Sequence, residues 1–214
     1  MNQKNIFKQF LEQAFPGRAE ALLGAFERYH AWLVSENSKI NLFSRQMDTN
    51  DIWTVHFLDS LLSTKYVEFG GRAVLDFGTG GGLPGIPLAV VFKDAKVTLL
   101  DSKKKKIAAV RGAAEALGLE NCEFSDQRIE DVAGRYCFDI IVSRSVKIEP
   151  AYKSILLRLL KPEGKIVLYK SKILDDVYQF DNVEIFDAEA AELGLGERRI
   201  AVIRSLPSRK YPPE

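Results

Sequence analysis

Cysteine and histidine are scarce, with two of each among 214 residues. Cys122 and Cys137 form no C-x-x-C, and no histidine cluster accompanies them. A disulfide scaffold and a structural zinc site are therefore not expected, and a reducing cytoplasm is the expected setting. Long hydrophobic runs are missing too: Ile86 to Phe92 falls far short of the ~18 residues that a membrane span needs. The first residues are polar and charges interrupt the apolar positions that follow, so no secretory signal is read there. Low-complexity tracts and internal repeats are absent. Nor is there an excess of charge of one sign, since thirty basic residues face twenty-nine acidic ones for a formal +1. Taken whole, that balance is wrong for a nucleic-acid binder.

What is present describes a soluble globular chain, 46% hydrophobic and 28% charged, of a length that suits one domain or one domain with an elaboration. Residues 1–70 read as helices. Ile6, Phe7, Phe10, Leu11 and Phe15 recur at helical spacing, as do Leu22, Leu23, Phe26, Tyr29, Leu33 and Val34. Pro16-Gly17 separates the two stretches, and a third runs from Ile52 through Val55, Leu58 and Leu62. From residue 72 the period changes. Strands are expected over Arg72–Asp76, Lys96–Asp101, Cys122–Phe124, Phe138–Ser143 and Lys165–Tyr169. Helices are expected over Pro84–Phe92, from Ile107 to a stop at Gly118, and over Pro150–Leu160, with a turn at Pro162-Glu-Gly164. Two late strands, Val183–Phe186 and Ile200–Ile203, complete the sheet, with room for an antiparallel member. The alternation predicts an α/β fold: a mostly parallel sheet covered by helices on both faces, behind a helical N-terminal segment. Residues 71–214 form the cofactor-binding core, packed with residues 1–70 as one compact unit.

In such a sheet the ligand site lies beyond the carboxyl ends of the strands. The first strand ends in Asp76-Phe-Gly78-Thr-Gly80-Gly81-Gly82-Leu83-Pro84-Gly85, and the second in Asp101. Glycines let backbone N–H groups approach a ligand, and a carboxylate at Asp101 can accept from both hydroxyls of a ribose. Together they predict a site for an adenosine-containing cofactor. Gly80, Gly82 and Gly85 satisfy G-x-G-x-x-G, which keeps a dinucleotide open. Against it, the match begins late in the loop and Pro84 falls inside the turn. Asp76, ahead of the first glycine, would repel a pyrophosphate but suit the cationic amino-acid part of S-adenosylmethionine, so the residues favour S-adenosylmethionine.

Other residues admit two readings. Lys103, Lys104, Lys105 and Lys106 are either a solvated helix face or phosphate contacts. Four lysines in a first helical turn oppose the macrodipole, which stability alone does not explain. His56 is a packed core histidine or a pocket-lining group, and Asp59 pairs with it or caps a turn. Arg144 and Lys170 stand at strand ends that face the site, while Trp32 and Trp53 read as core aromatics. No proline-proline amine-methylation motif follows the fourth strand, where Ser143-Arg-Ser-Val146 stands. Tyr211-Pro-Pro213 has the wrong order and place, and neither cysteine follows a proline. Among methyl transfers this leaves a ring nitrogen, which needs no general base, and no catalytic residue is named.

Several segments carry a family resemblance: Asn37-Ser-Lys-Ile-Asn-Leu42, His56-Phe-Leu-Asp-Ser60, the loop Leu75-Asp-Phe-Gly-Thr-Gly-Gly-Gly-Leu-Pro-Gly-Ile-Pro-Leu88, Leu99-Leu-Asp-Ser102, Ser125 to Glu130 and Ser143-Arg-Ser145. In this order they resemble the bacterial ribosomal small-subunit RNA methyltransferase G family, also called glucose-inhibited division protein B. The likeness covers most of the chain and fades after Ser171. It implies a class I methyltransferase fold and methyl transfer from S-adenosylmethionine to N7 of a guanine in 16S ribosomal RNA. It also implies cofactor contacts at Gly78, Leu83, Asp101, Ser102, Ile129, Glu130 and Arg144, to which the loop reading adds Gly80. Phosphate contacts are expected at Lys103 to Lys106 and at Lys170. Ser145 stands where the family often has alanine, and Ser171 where it usually has glycine. The expected partner is ribosomal RNA, naked or in an assembling particle, met by a monomer with no membrane association and no metal. An NAD(P)-dependent oxidoreductase and a nucleotide-binding module without catalysis are the competing readings.

Charge is distributed unevenly along the chain. Residues 1–70 carry a balance of −1, residues 71–170 one of +5 and residues 171–214 one of −3. The cofactor-binding stretch is thus the basic one, which removes net charge as an objection to RNA.

Overall fold

A computed structural model describes residues 2–132, 134, 138–188 and 195–205. Cys137 and Tyr211-Pro-Pro213 lie outside the described residues. Helices α1 (Gln3–Ala14) and α2 (Ala19–Asn37) lead to a continuous helical stretch of mixed pitch: a 3₁₀ turn at Thr49–Asp51, a π-helix at Ile52–Leu58, α3 (Asp59–Leu61) and a 3₁₀ turn at Leu62–Lys65. Then come β1 (Ala73–Phe77), α4 (Gly85–Val91), β2 (Lys96–Leu100), α5 (Lys104–Leu117), β3 (Cys122–Ser125), α6 (Ile129–Val132), β4 (Phe138–Arg144), α7 (Pro150–Leu159), β5 (Leu160–Lys170), β6 (Val183–Ala188) and β7 (Arg198–Arg204).

The strands make one sheet in the order β3-β2-β1-β4-β5-β7-β6. The first five run parallel, in register at Leu75↔Thr98 and Leu75↔Ile141, while β7 is antiparallel to both β5 and β6. The expected α/β architecture is thus present, with its antiparallel member at the late strands. Strand order reverses between β1 and β4, and a crevice opens at that switch point.

Period-two alternation sorts the strand residues onto two cores. Val74, Val97, Leu99, Ile140, Val142, Val167 and Val202 pack with Phe7, Phe26, Leu33 and Phe57 of the N-terminal helices. Leu75, Phe77, Ile141, Ile166, Leu168 and Ile203 pack with α7 and with Leu174, Val177 and Phe180. The N-terminal helices therefore form one face of the sheet's own core. Trp53 is buried as expected, stacked on His30 at 4.8 Å between centroids, whereas Trp32 is half-buried. Gly118 closes α5 in the left-handed conformation, φ 63°, where a Cβ would be penalised.

Two expectations are corrected. The stretch Ile52–Leu62 is not a regular α-helix, because the π-register widens it where it faces the site, a common use of such bulges. Pro162-Glu-Gly164 does not separate helix from strand. It is absorbed into β5 as a bulge, with Glu163 at φ 64° and the pairing with β4 jumping from Phe138↔Leu160 to Ile140↔Lys165.

Candidate active site

Two cavities open side by side along the carboxyl ends of the parallel strands. The first, about 650 Å³, is bounded by the glycine loop after β1, the end of β2 and the start of α6. Gly78, Gly80, Leu83, Asp101, Ser102, Ile129, Glu130 and Arg144 all line it, so the residues expected at a cofactor converge on one space. The loop is held from both sides. Tyr29 on α2 donates its hydroxyl to the carbonyl of Gly81 at 2.8 Å, and the amide of Gly80 donates to the Asp101 carboxylate at 3.1 Å. Gly82 sits at φ +90°, where a Cβ would come within 2.7 Å of the Tyr29 hydroxyl and of Ile86. That close approach seats the loop against α2 and α4. Lys103 also donates its amide to Asp101, at 2.9 Å, which fixes the carboxylate at the cavity edge.

Asp76 does not act as the sequence suggested. Its side chain is fully buried beneath the loop, on the face of β1 shared with Val74, and it lines neither cavity. One oxygen accepts from the Thr79 hydroxyl at 2.6 Å and from the Gly85 amide at 2.8 Å, while the other has no partner among the described residues. Burial pushes its carboxyl up to about 6, against the lowering effect of those two hydrogen bonds. The residue ties the loop to α4 and faces neither cavity directly. The charge-based preference for S-adenosylmethionine over a dinucleotide loses this support.

The second cavity, about 520 Å³, shares Val55, His56, Arg144, Ser145 and Val146 with the first. Arg198 and Lys170 from β7 and β5 complete its wall, and five cations face three carboxylates around it. Beneath it Asp59 accepts from Arg144 at 3.0 Å and from Arg198 at 2.9 Å. Asp59 therefore pairs with two guanidinium groups instead of with His56. Alternation along β4 and β7 puts both arginines on the sheet face that carries the N-terminal helices, and the π-register leaves the Val55 carbonyl within 3.3 Å of Arg144. His56 lines both cavities, and burial followed by the charge of Arg144 lowers its pKa to about 3. It is neutral at physiological pH.

The lysines divide. Lys103, Lys104 and Lys105 are exposed, Lys103 at the edge of the first cavity, whereas Lys106 is half-buried in that cavity's wall with its ammonium 4.0 Å from the Asp101 carboxylate. Lys170 is nearly buried and its ammonium lies 2.5 Å from Asp176. Among the described residues no group of three or more His, Cys, Asp or Glu is placed to hold a metal, and no helix is long and apolar enough to cross a membrane. Cys122 is a free thiol pushed up to about 12 by burial, which makes it unreactive.

Sequence reasoning missed Leu42, Phe43 and Met47, which line the first cavity from the loop after α2, and Arg198 in the second. One local signal existed for the first group. The buried Asn37 side chain accepts from the amides of Leu42 and Phe43 at 2.8 and 3.1 Å, a polar lock at the end of an apolar helix.

Comparison with known proteins agrees with this geometry. The family model described as rRNA small subunit methyltransferase G matches residues 23–199. The ribosomal RNA small subunit methyltransferase G of Halalkalibacterium halodurans is 37% identical over 169 residues, covering 77% of this chain and 71% of that protein. Its namesake from Staphylococcus epidermidis is 33% identical over 202 residues, covering 87% and 84% respectively. Among solved structures, a SAM-dependent O-methyltransferase from Thermotoga maritima superposes with a TM-score of 0.58 at 14% identity over 84% of this chain and 73% of its own. The cyclase SpnF superposes at 0.59 with 15% identity over 87% and 96%. A methyltransferase and a cyclase on one scaffold show that these structures fix the fold and leave the reaction to the site. The sequence matches go further: the chain belongs to the rRNA small subunit methyltransferase G family.

Proposed function

We propose that the protein transfers the methyl group of S-adenosylmethionine to N7 of a guanine in 16S ribosomal RNA of the small subunit. The observation that carries this reading is the wall common to the two cavities, Val55, His56, Arg144, Ser145 and Val146. A cradle for an adenosine-bearing cofactor there adjoins a cation-rich space for a nucleotide. Gly78, Gly80 and Leu83 hold the cofactor from the loop, Asp101 and Ser102 take its ribose, and Ile129, Glu130 and Arg144 close around it. When bound, S-adenosylmethionine supplies an electrophilic methyl group.

Guanine N7 carries a free lone pair, so the protein has only to align donor and acceptor and keep water out. His56, neutral and with its pKa near 3, is a poor proton acceptor, which suits a reaction without a base. Lys103, Lys104 and Lys105 reach phosphates, while Lys106 and Lys170 act by holding Asp101 and Asp176. The protein works in the cytoplasm as a monomer, on ribosomal RNA that is naked or within an assembling subunit.

Incubation with labelled S-adenosylmethionine and unmethylated 16S RNA, followed by mapping of the modified base, tests this. Label on a guanine N7 is expected. Label on an exocyclic amine or a carbon, or tight binding of NAD alone in a calorimetric titration, would overturn it.

A further inference from the structure

The segment 171–182 between β5 and β6 contains no helix or strand, yet it is firmly fastened. Leu174, Val177 and Phe180 are buried in the core on the α7 face. Asp176 accepts from the amide of Ile148 at 2.8 Å as well as from Lys170, and the Gln179 side chain donates to the carbonyl of Ile148 at 2.6 Å. On this backing Ile173 is 72% exposed and Tyr178 69%, the two most exposed large apolar side chains among the described residues. Folding does not ask for them, because the three neighbouring anchors already bury the segment, and leaving such groups in water forgoes burial energy. Apolar residues scattered singly need no explanation. These two stand five residues apart in one short segment that reaches the second cavity. Ile173 lines that cavity, and Tyr178 lies within electrostatic reach of Arg199, which lines it too.

The rim also supplies charge, with Lys147 exposed and Arg198 and Arg199 at the cavity wall. An exposed aromatic ring on a fastened segment beside cations fits a polyanion whose flat groups are free to stack. Single-stranded RNA has that chemistry, whereas a duplex keeps its bases stacked on each other. We infer that Tyr178 is a stacking platform for an unpaired base beside the guanine that enters the second cavity. The inference rests on the proposed RNA methylation. Because the segment is already ordered, binding costs little further conformational entropy.

Two measurements on the full chain decide it: affinity for a short fluorescent unstructured oligoribonucleotide, and steady-state methylation of unmethylated 16S RNA. Tyr178→Ala should weaken oligonucleotide binding about tenfold and raise KM for the RNA by a similar factor. The values of kcat and S-adenosylmethionine affinity stay at the parent's, and Tyr178→Phe restores both losses. The slope of binding against salt should not move, since no phosphate contact is removed. Unchanged affinity in Tyr178→Ala, or a Phe variant as weak as the Ala variant, would overturn the platform. A parent that binds the oligonucleotide but leaves 16S RNA unmodified defeats the proposed function instead, and the binding arm still decides the platform. A parent that binds no RNA defeats both.

Discussion

Each of the two cavities sits over a buried aspartate, and the two aspartates are held in opposite ways. Under the glycine loop, Asp76 is hydrogen-bonded by a hydroxyl and an amide, and among the described residues it forms no ion pair. Under the neighbouring cavity, Asp59 is met by two guanidinium groups, Arg144 and Arg198. The first cavity is consequently built by backbone bends on dipoles, and burial makes charging its anchor costly. The second is built from long cationic side chains that must be neutralised from below to stand together. An anchor held by a hydroxyl and an amide ties the loop to its helix. A charged anchor suits a site meant to present positive charge to a polyanion.

Removing the charge from each aspartate is the most direct way to break this comparison. Asp59→Asn leaves two largely buried guanidinium groups facing each other without a counter-charge. Breaking a buried pair this way costs about 3 kcal/mol or more, and the same rearrangement displaces Arg198 from the cavity wall. Urea unfolding should report that loss. Methylation of 16S RNA is expected to fall at least a hundredfold, while affinity for S-adenosylmethionine falls less than tenfold, through Arg144, which both cavities share. Equal losses in both assays would show that the cavities are one electrostatic unit.

Asp76→Asn should behave differently, and its signature is a pH dependence. The folded-state pKa of Asp76 is raised, from an ordinary 3.8 to about 6. A raised carboxyl favours the protonated folded state, so its contribution to stability is complete below about pH 4 and is lost as pH rises through 6. Relative to the parent, Asp76→Asn should therefore gain on the order of 2 kcal/mol between pH 4 and pH 7, with no further change above. Unfolding both proteins in urea at several pH values checks the sign. A parent that gains stability over the variant in that window would mean that Asp76 has a cationic partner, and the contrast with Asp59 would disappear.

The same contrast explains what the sequence disclosed. One wall of the first cavity is local: the loop from Gly78 to Gly85 and the Asp101 end of β2 are adjacent strand ends, and their spacing survives in the linear order. The charge of Asp76 misled because sequence gives a residue's place on a strand but not the face it takes, and alternation turned this carboxylate inward. The second cavity draws on residues 55–59, 144–147, 169–176 and 198–200, which only strand order brings together. Arg144 and Lys170 were legible as strand ends. Arg198 was not, because it opens an antiparallel strand, whose beginning lies where parallel strands finish. The π-register at Ile52–Leu58 was hidden as well, since one extra residue per turn leaves a hydrophobic pattern that reads as α.

The smallest effect lies where the two cavities' demands meet on one helix. Lys104 and Lys105 open α5 with exposed ammonium groups, and Lys106 turns back toward Asp101. At 4.0 Å and partly exposed, that pair contributes less than about 1 kcal/mol, so its loss should weaken S-adenosylmethionine binding only a fewfold. Lys106→Gln is expected to show that loss in a calorimetric titration and to leave the salt dependence of RNA binding alone. The double change of Lys104 and Lys105 to Gln should do the reverse. Each lost phosphate contact lowers the slope of log affinity against log salt by about 0.7 to 0.9, with cofactor affinity unmoved. Should Lys106→Gln flatten the salt slope as much as its neighbours do, the lysines would form one phosphate-binding turn, and α5 would belong wholly to the RNA side.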